Sequence, residues 1–144
     1  MPAPLDAAHA RPHGASDELV AATGKLSEAL ERIERARGAL YEFHQLTGGA
    51  DAMLDEVVDG LRATGHGALA DRVREELVGL NAIEGRWTFQ IVEEFDDGYY
   101  ATFRELERVV RDETMGGRRH VFEAELKQRR RSTGRAGHEA TPAG

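Results

Sequence analysis

Three residues of this chain have the types and the placement to do chemistry together: Arg37, His44 and Glu84. Arg37 and His44 fall inside the apolar stripe of a helical stretch, roughly 40° and 20° from Ile33, where Leu-like residues are expected. A charge in a core needs a partner. The matching anomalies further along are Glu84 and Glu105, roughly 20° and 40° from Ile91 on the same wheel geometry. If the two stretches run antiparallel, His44 comes level with Glu84, and Arg37 lies about one or two turns below. Such a set is either a small catalytic Arg/His/Glu site between two helices or a group of polar contacts that fixes helix register, as buried polar residues do in coiled coils.

The segment "RGALYEFH", Arg37 to His44, resembles in its spacing the Arg-x4-6-His motif of the helical ribonucleases of the HEPN superfamily. The resemblance covers eight residues, and Gly38 stands where that family often has a polar residue. What it implies is RNA cleavage by Arg37 and His44.

Metal chemistry is poorly served. With no cysteine, the ligands would be His, Asp and Glu. A di-iron carboxylate bundle needs Glu-x-x-His on each of two helices, and no such spacing occurs. Glu42 and His44 are two residues apart, which sends them to different faces of a helix, and "HEATP" lacks the second His of a metalloprotease helix. No nucleophile elbow, Gly-rich phosphate loop or dinucleotide fingerprint is present. We expect no metal and no cofactor.

The stretch "GRWTFQIVEEFDDGYYATF", Gly85 to Phe103, holds six of the nine aromatic residues and four carboxylates. On a helix the two sets separate. Trp87, Ile91, Phe95 and Tyr99 share one face, with Leu106 and Val109 further along it and Phe103 and Val110 on its shoulder, while Glu93, Asp96 and Asp97 turn away. Trp87, Ile91, Phe95, Tyr99 and Phe103 are therefore candidates for a partner-binding face. Gly98 lies within this stretch, and the expectation there is a close helix crossing or a bend, with any pocket between Phe95 and Thr102.

The remaining candidate is electrostatic. Residues 1–115 carry 12 Lys+Arg and 23 Asp+Glu, a balance of −11, whereas residues 116–144 carry 7 and 3, a balance of +4. An acidic body argues against a nucleic-acid-binding core. Only the tail, with Arg118, Arg119, Lys127, Arg129, Arg130, Arg131 and Arg135, would neutralise phosphates. It lacks interleaved aromatics, so binding there would be electrostatic and not by base stacking.

The elements that must position these residues are helices. All four prolines fall near the ends, at Pro2, Pro4, Pro12 and Pro142, and the long interval between is free of the strongest helix breaker. Leu19, Ala22, Leu26, Leu30, Ile33, Leu40 and Phe43 recur at three- and four-residue steps after a capping Ser16. This predicts a long helix over about 16–46, ended by "TGG". Short helices follow over about 51–63 and 68–79. An unbroken helix from there to Thr114 would be roughly 70 Å long, so a break is placed at "GLNAIE", with Gly79 as breaker and Asn81 and Glu84 as an imperfect capping box. A second long helix is predicted over about 82–114 and a last short one over about 118–131. In that last helix Glu123–Lys127 and Glu125–Arg129 are spaced for ion pairs.

These readings give an all-α bundle: a disordered arm over 1–15, one helical domain over 16–131 and a disordered basic tail over 132–144. The chain lacks a signal-peptide pattern and a membrane-spanning run, so a cytoplasmic protein without membrane association is expected. The long apolar faces and their limited cover point to a non-enzymatic binding or assembly protein, self-association into a homodimer being the first expectation. A protein partner is the second, and nucleic acid or an acidic partner bound through the basic C-terminal segment the third.

Overall fold

The computed structural model describes residues 5–140. The first four residues of the expected arm and the last four of the expected tail, with Pro2, Pro4 and Pro142, lie outside the described residues. The protein is all-α, and no strand occurs among the described residues. α1 runs Asp17–Ala63, α2 Gly67–Glu76 and α3 Thr88–Phe95; a π-helical turn, Asp96–Tyr100, leads into α4, Ala101–Met115, and α5 is Val121–Arg130. No described helix is long and apolar enough to cross a membrane.

Two of the expected boundaries are corrected. The expected stop at "TGG" is absent: α1 continues through Gly48 and Gly49 for 47 residues. Each glycine costs about 1 kcal/mol relative to Ala in a helix, but no proline intervenes and tertiary contacts hold α1 on both sides. His44 is bonded to Thr88, Asp51 accepts the Gly79 N–H at 2.8 Å, and Asp55 and Arg62 pair with Arg74 and Asp71. α1 ends instead at Thr64-Gly65, where Gly65 has φ +81° and the His66 N–H returns to the Leu61 carbonyl at 2.8 Å.

The second expected long helix, 82–114, starts late and is interrupted. Residues 77–87 form a loop with Gly79 and Gly85 at φ +76° and +80°. The break at Gly79 is as expected, but the cap lies at Trp87, whose N–H donates to the Gln90 side chain at 3.0 Å, and not at Asn81. Gly98 is exposed within the π turn, and nothing lies within 4 Å of where its Cβ would sit. A helix crossing closely at Gly98 is thus excluded in favour of a local distortion of the helix.

The described contacts divide the chain into two compact units, one of residues up to Ile33 together with those from Ala101 onward, the other Glu34–Tyr100. In the first, the start of α1, α4 and α5 meet around buried Val20, Met115 and Val121, with Leu19 and Ala15 against them. α4 ends at Gly116-Gly117, both at positive φ, where the Gly117 N–H bonds the Arg111 carbonyl at 3.1 Å. Gly24 allows α5 to approach α1: an added Cβ would stand 2.7 Å from the Cβ of Phe122. Residues 6–15, where composition suggests disorder, contain turns and a clasp. Arg11 donates to Glu125 at 2.7 and 3.1 Å and to Asp17 at 2.8 Å, and Arg118 holds the Ala10 carbonyl at 3.1 Å.

In the second unit, α1 from Glu34 to Ala63 runs antiparallel to everything that follows it. Tyr100 meets Glu34, Asp96 meets Arg37, Thr88 meets His44, Gly79 meets Asp51 and Asp71 meets Arg62. The inward line of α1 is Arg37, Leu40, His44, Thr47, Asp51, Leu54, Val58 and Leu61, all half-buried or buried. Its steps alternate three and four, a coiled-coil period.

Candidate functional site

Arg37 stands at the centre of the most connected side-chain cluster. Its Nε and Nη2 donate to the two oxygens of Asp96 at 2.8 and 3.1 Å, a bidentate fork. Nη2 also donates to the Tyr41 hydroxyl at 3.2 Å, and that hydroxyl donates to Asp96 at 2.9 Å. The guanidinium lies over two rings, with its Cζ 4.9 Å from the centroid of Tyr41 and 4.8 Å from that of Tyr100. Tyr100 in turn donates to Glu34 at 2.8 Å. Hydrogen bonding from Arg37 holds the Asp96 carboxyl below the usual carboxylate range, against the opposing effect of desolvation. The same bond raises Arg37 further above its already high value. Asp96 and Tyr41 engage Nε and Nη2, while the Arg37 side chain remains about one third exposed (34%).

The helices set this geometry. Arg37 and Tyr41 are four residues apart on α1, and Asp96 and Tyr100 bracket the π turn. Asp96 was expected to point outward because Ile91 served as the reference for that face. The face centres nearer Val92, which is 6% exposed, and from Val92 the four-residue steps reach Asp96 and Tyr100. The same shift of the face brings Glu107, eleven residues on from Asp96 and about 20° away from it, to the inner side. Glu107 is buried where Leu106, at 55% exposed, is expected. Glu107 takes the Arg111 Nε at 3.0 Å and the Ser27 hydroxyl at 3.1 Å. Glu105, expected to turn inward, is exposed and pairs with Arg108 at 2.6 Å, which lowers its pKa.

Arg37, His44 and Glu84 have different neighbours. His44 Nδ1 lies 2.6 Å from the Thr88 hydroxyl. The expected His44–Glu84 contact is not made, because α3 begins at Thr88 and leaves Glu84 exposed in the preceding loop without a polar partner among the described residues. Among the described residues, no three His, Asp or Glu side chains converge as metal ligands would.

The aromatic face divides. Trp87 and Tyr99 are each 57% exposed, while Ile91, Phe95 and Phe103 are half-buried. Phe95 stacks on Tyr100 at 6.1 Å and is tilted against Tyr99 at 5.9 Å, and Trp87 meets Phe89 at 5.2 Å. Among the basic candidates, Arg118 is committed to Ala10 and Arg131 to Gln128 and the His138 carbonyl. Arg119, Arg129, Arg130 and Arg135 are exposed without an ion pair among the described residues. The expected pairs Glu123–Lys127 and Glu125–Arg129 do not form; Arg11 has taken Glu125, and Glu123 faces His120. This use of Arg11 across 114 residues had no local signal in the sequence. Compared with protein-family models, with curated proteins and with solved structures, the chain matches none.

Proposed function

We propose that the protein is a helical assembly module that works by covering an apolar helix face, with a second copy of itself as the first partner. One observation carries this reading. Eleven of the large apolar side chains left exposed among the described residues fall in Glu34–Tyr100, against three in the rest, while the same unit buries only Val58, Ala70, Val92 and Tyr100. An antiparallel helix pair has no third layer to cover its outer faces, and exposed apolar area on this scale marks an interaction surface. The polar members of the inward seam support a registering role over a catalytic one: each has its acceptor or donor within the unit. Light scattering at micromolar concentration tests the reading. A mass of twice 15.9 kDa is expected, and 15.9 kDa overturns it.

A second reading rests on the exposed, unpaired Arg119, Arg129, Arg130 and Arg135. It makes the C-terminal segment an electrostatic contact for nucleic acid. Affinity for DNA or RNA would then fall steeply with salt and would disappear when these four are changed to Gln. Unchanged affinity in that variant rejects it.

A further inference from the structure

α1 carries a second line of apolar residues left exposed among the described residues. Ala39, Phe43, Leu46, Ala50, Met53 and Val57 recur at four- and three-residue steps, the same period as the inward line but one residue earlier, about 100° round the helix. The four large members are 40%, 66%, 68% and 45% exposed. One residue earlier again is a flank of Arg35, Glu42, Gly49 and Glu56, and its three charged residues have no hydrogen bond or ion pair among the described residues.

We propose that this line is the contact between two copies of the chain, with the two α1 helices crossing antiparallel about a two-fold axis near residue 45. The inference rests on the self-association proposed above and adds its surface, direction and register. Charge complementarity selects the direction. In an antiparallel pairing of heptad lines, the flank meets the same flank of the other copy in reverse. Arg35 then lies opposite Glu56 of the second copy, twice by symmetry, and Glu42 lies opposite Gly49. In the same register Phe43 meets Leu46, twice by symmetry, and this central pair of layers is flanked on each side by Ala39 against Ala50 and then by Met53 against Ala36. A parallel pairing would set this flank against Leu40, Thr47, Leu54 and Leu61 of the second copy, which offer it no opposite charge. An isologous antiparallel contact also closes on itself, which gives a dimer and not a filament.

The test uses the full chain. Sedimentation equilibrium of the wild type reports whether it self-associates; a monomer at 100 µM overturns both this inference and the reading beneath it. Where the wild type dimerises, Arg35→Glu and Glu56→Arg should each weaken the dimer by about three- to thirtyfold. The double variant should return it to within about twofold. Single variants without effect, or a double variant no better than either single, overturn the α1 register while leaving self-association standing. Because the chain has no cysteine, Leu46→Cys gives an independent reading. It should form an intermolecular disulfide rapidly under mild oxidation, while Arg35→Cys, about 30 Å from its counterpart along the axis, should not. Equal rates overturn the proposed crossing.

Discussion

The Met115 core and the Arg37 seam hold helices together by different means. Around Met115, three helices close on one another with side chains that are 2–4% exposed, a glycine is spent to let Phe122 approach, and the charged groups at the edge are tied by Arg11. Along the seam of α1 only one partner face is present, and polar residues with matched acceptors occupy positions that Leu would fill in a coiled coil. The first arrangement is complete in itself. The second matches polar residues inside the unit and leaves large apolar residues exposed, the surface on which the proposed assembly rests.

The largest expected break in this contrast is at Met115. Met115→Ala removes one of the two largest fully buried side chains and should cost about 2–5 kcal/mol of stability, seen as a lower urea midpoint. Leu46→Ala, on a side chain 66% exposed, should leave the stability of a dilute sample within about 0.5 kcal/mol.

Glycines sharpen the contrast at the next level. Gly24→Ala gains helix propensity of about 1 kcal/mol, but its Cβ would meet Phe122 Cβ at 2.7 Å, an atom too near the backbone to move aside. A net loss of about 1–2 kcal/mol is expected by chemical denaturation, within the range of overpacking. Gly48→Ala meets nothing within 4 Å and should stabilise by about 1 kcal/mol. If both substitutions moved stability in the same direction, the two regions would not differ as described.

The smallest effect is the pH response of the Arg37–Asp96 pair. The folded pKa of Asp96 lies below its unfolded value of about 3.9. Its contribution is therefore present above that value and lost as pH falls through the lower folded one. The difference in melting temperature between wild type and Asp96→Asn should be constant from pH 5 to 8 and shrink below about pH 4. A difference independent of pH would mean that the fork contributes nothing through charge.

Much of this contrast was readable in the sequence. The three- and four-residue recurrence of apolar residues points to helices, the expected end of the second long helix near 114 lies one residue from the end of α4, and Arg37 and His44, which intrude into an apolar stripe, lie on the inward line of α1. What was not readable depended on contacts distant in sequence. Gly48 and Gly49 look like a stop unless the contacts of His44, Asp51 and Asp55 are known. Centred on Ile91, a helical wheel turns Asp96 and Glu107 outward, about 140° and 160° away; centred on Val92 it brings both within about 60°, and the burial of Val92 chooses between them. The exposed line from Ala39 to Val57 was visible as a period but merged with the inward one, because two lines one residue apart look like a single wide face until the partner of each is known.

The most direct measurement of the central claim is sedimentation equilibrium on wild type and on the Leu46→Glu/Met53→Glu variant, from 1 to 100 µM. Both changes are at exposed positions and leave the inward seam untouched. The account predicts a wild-type mass of twice 15.9 kDa, and a variant mass of 15.9 kDa with unchanged helicity by circular dichroism. Equal masses for the two proteins would contradict it.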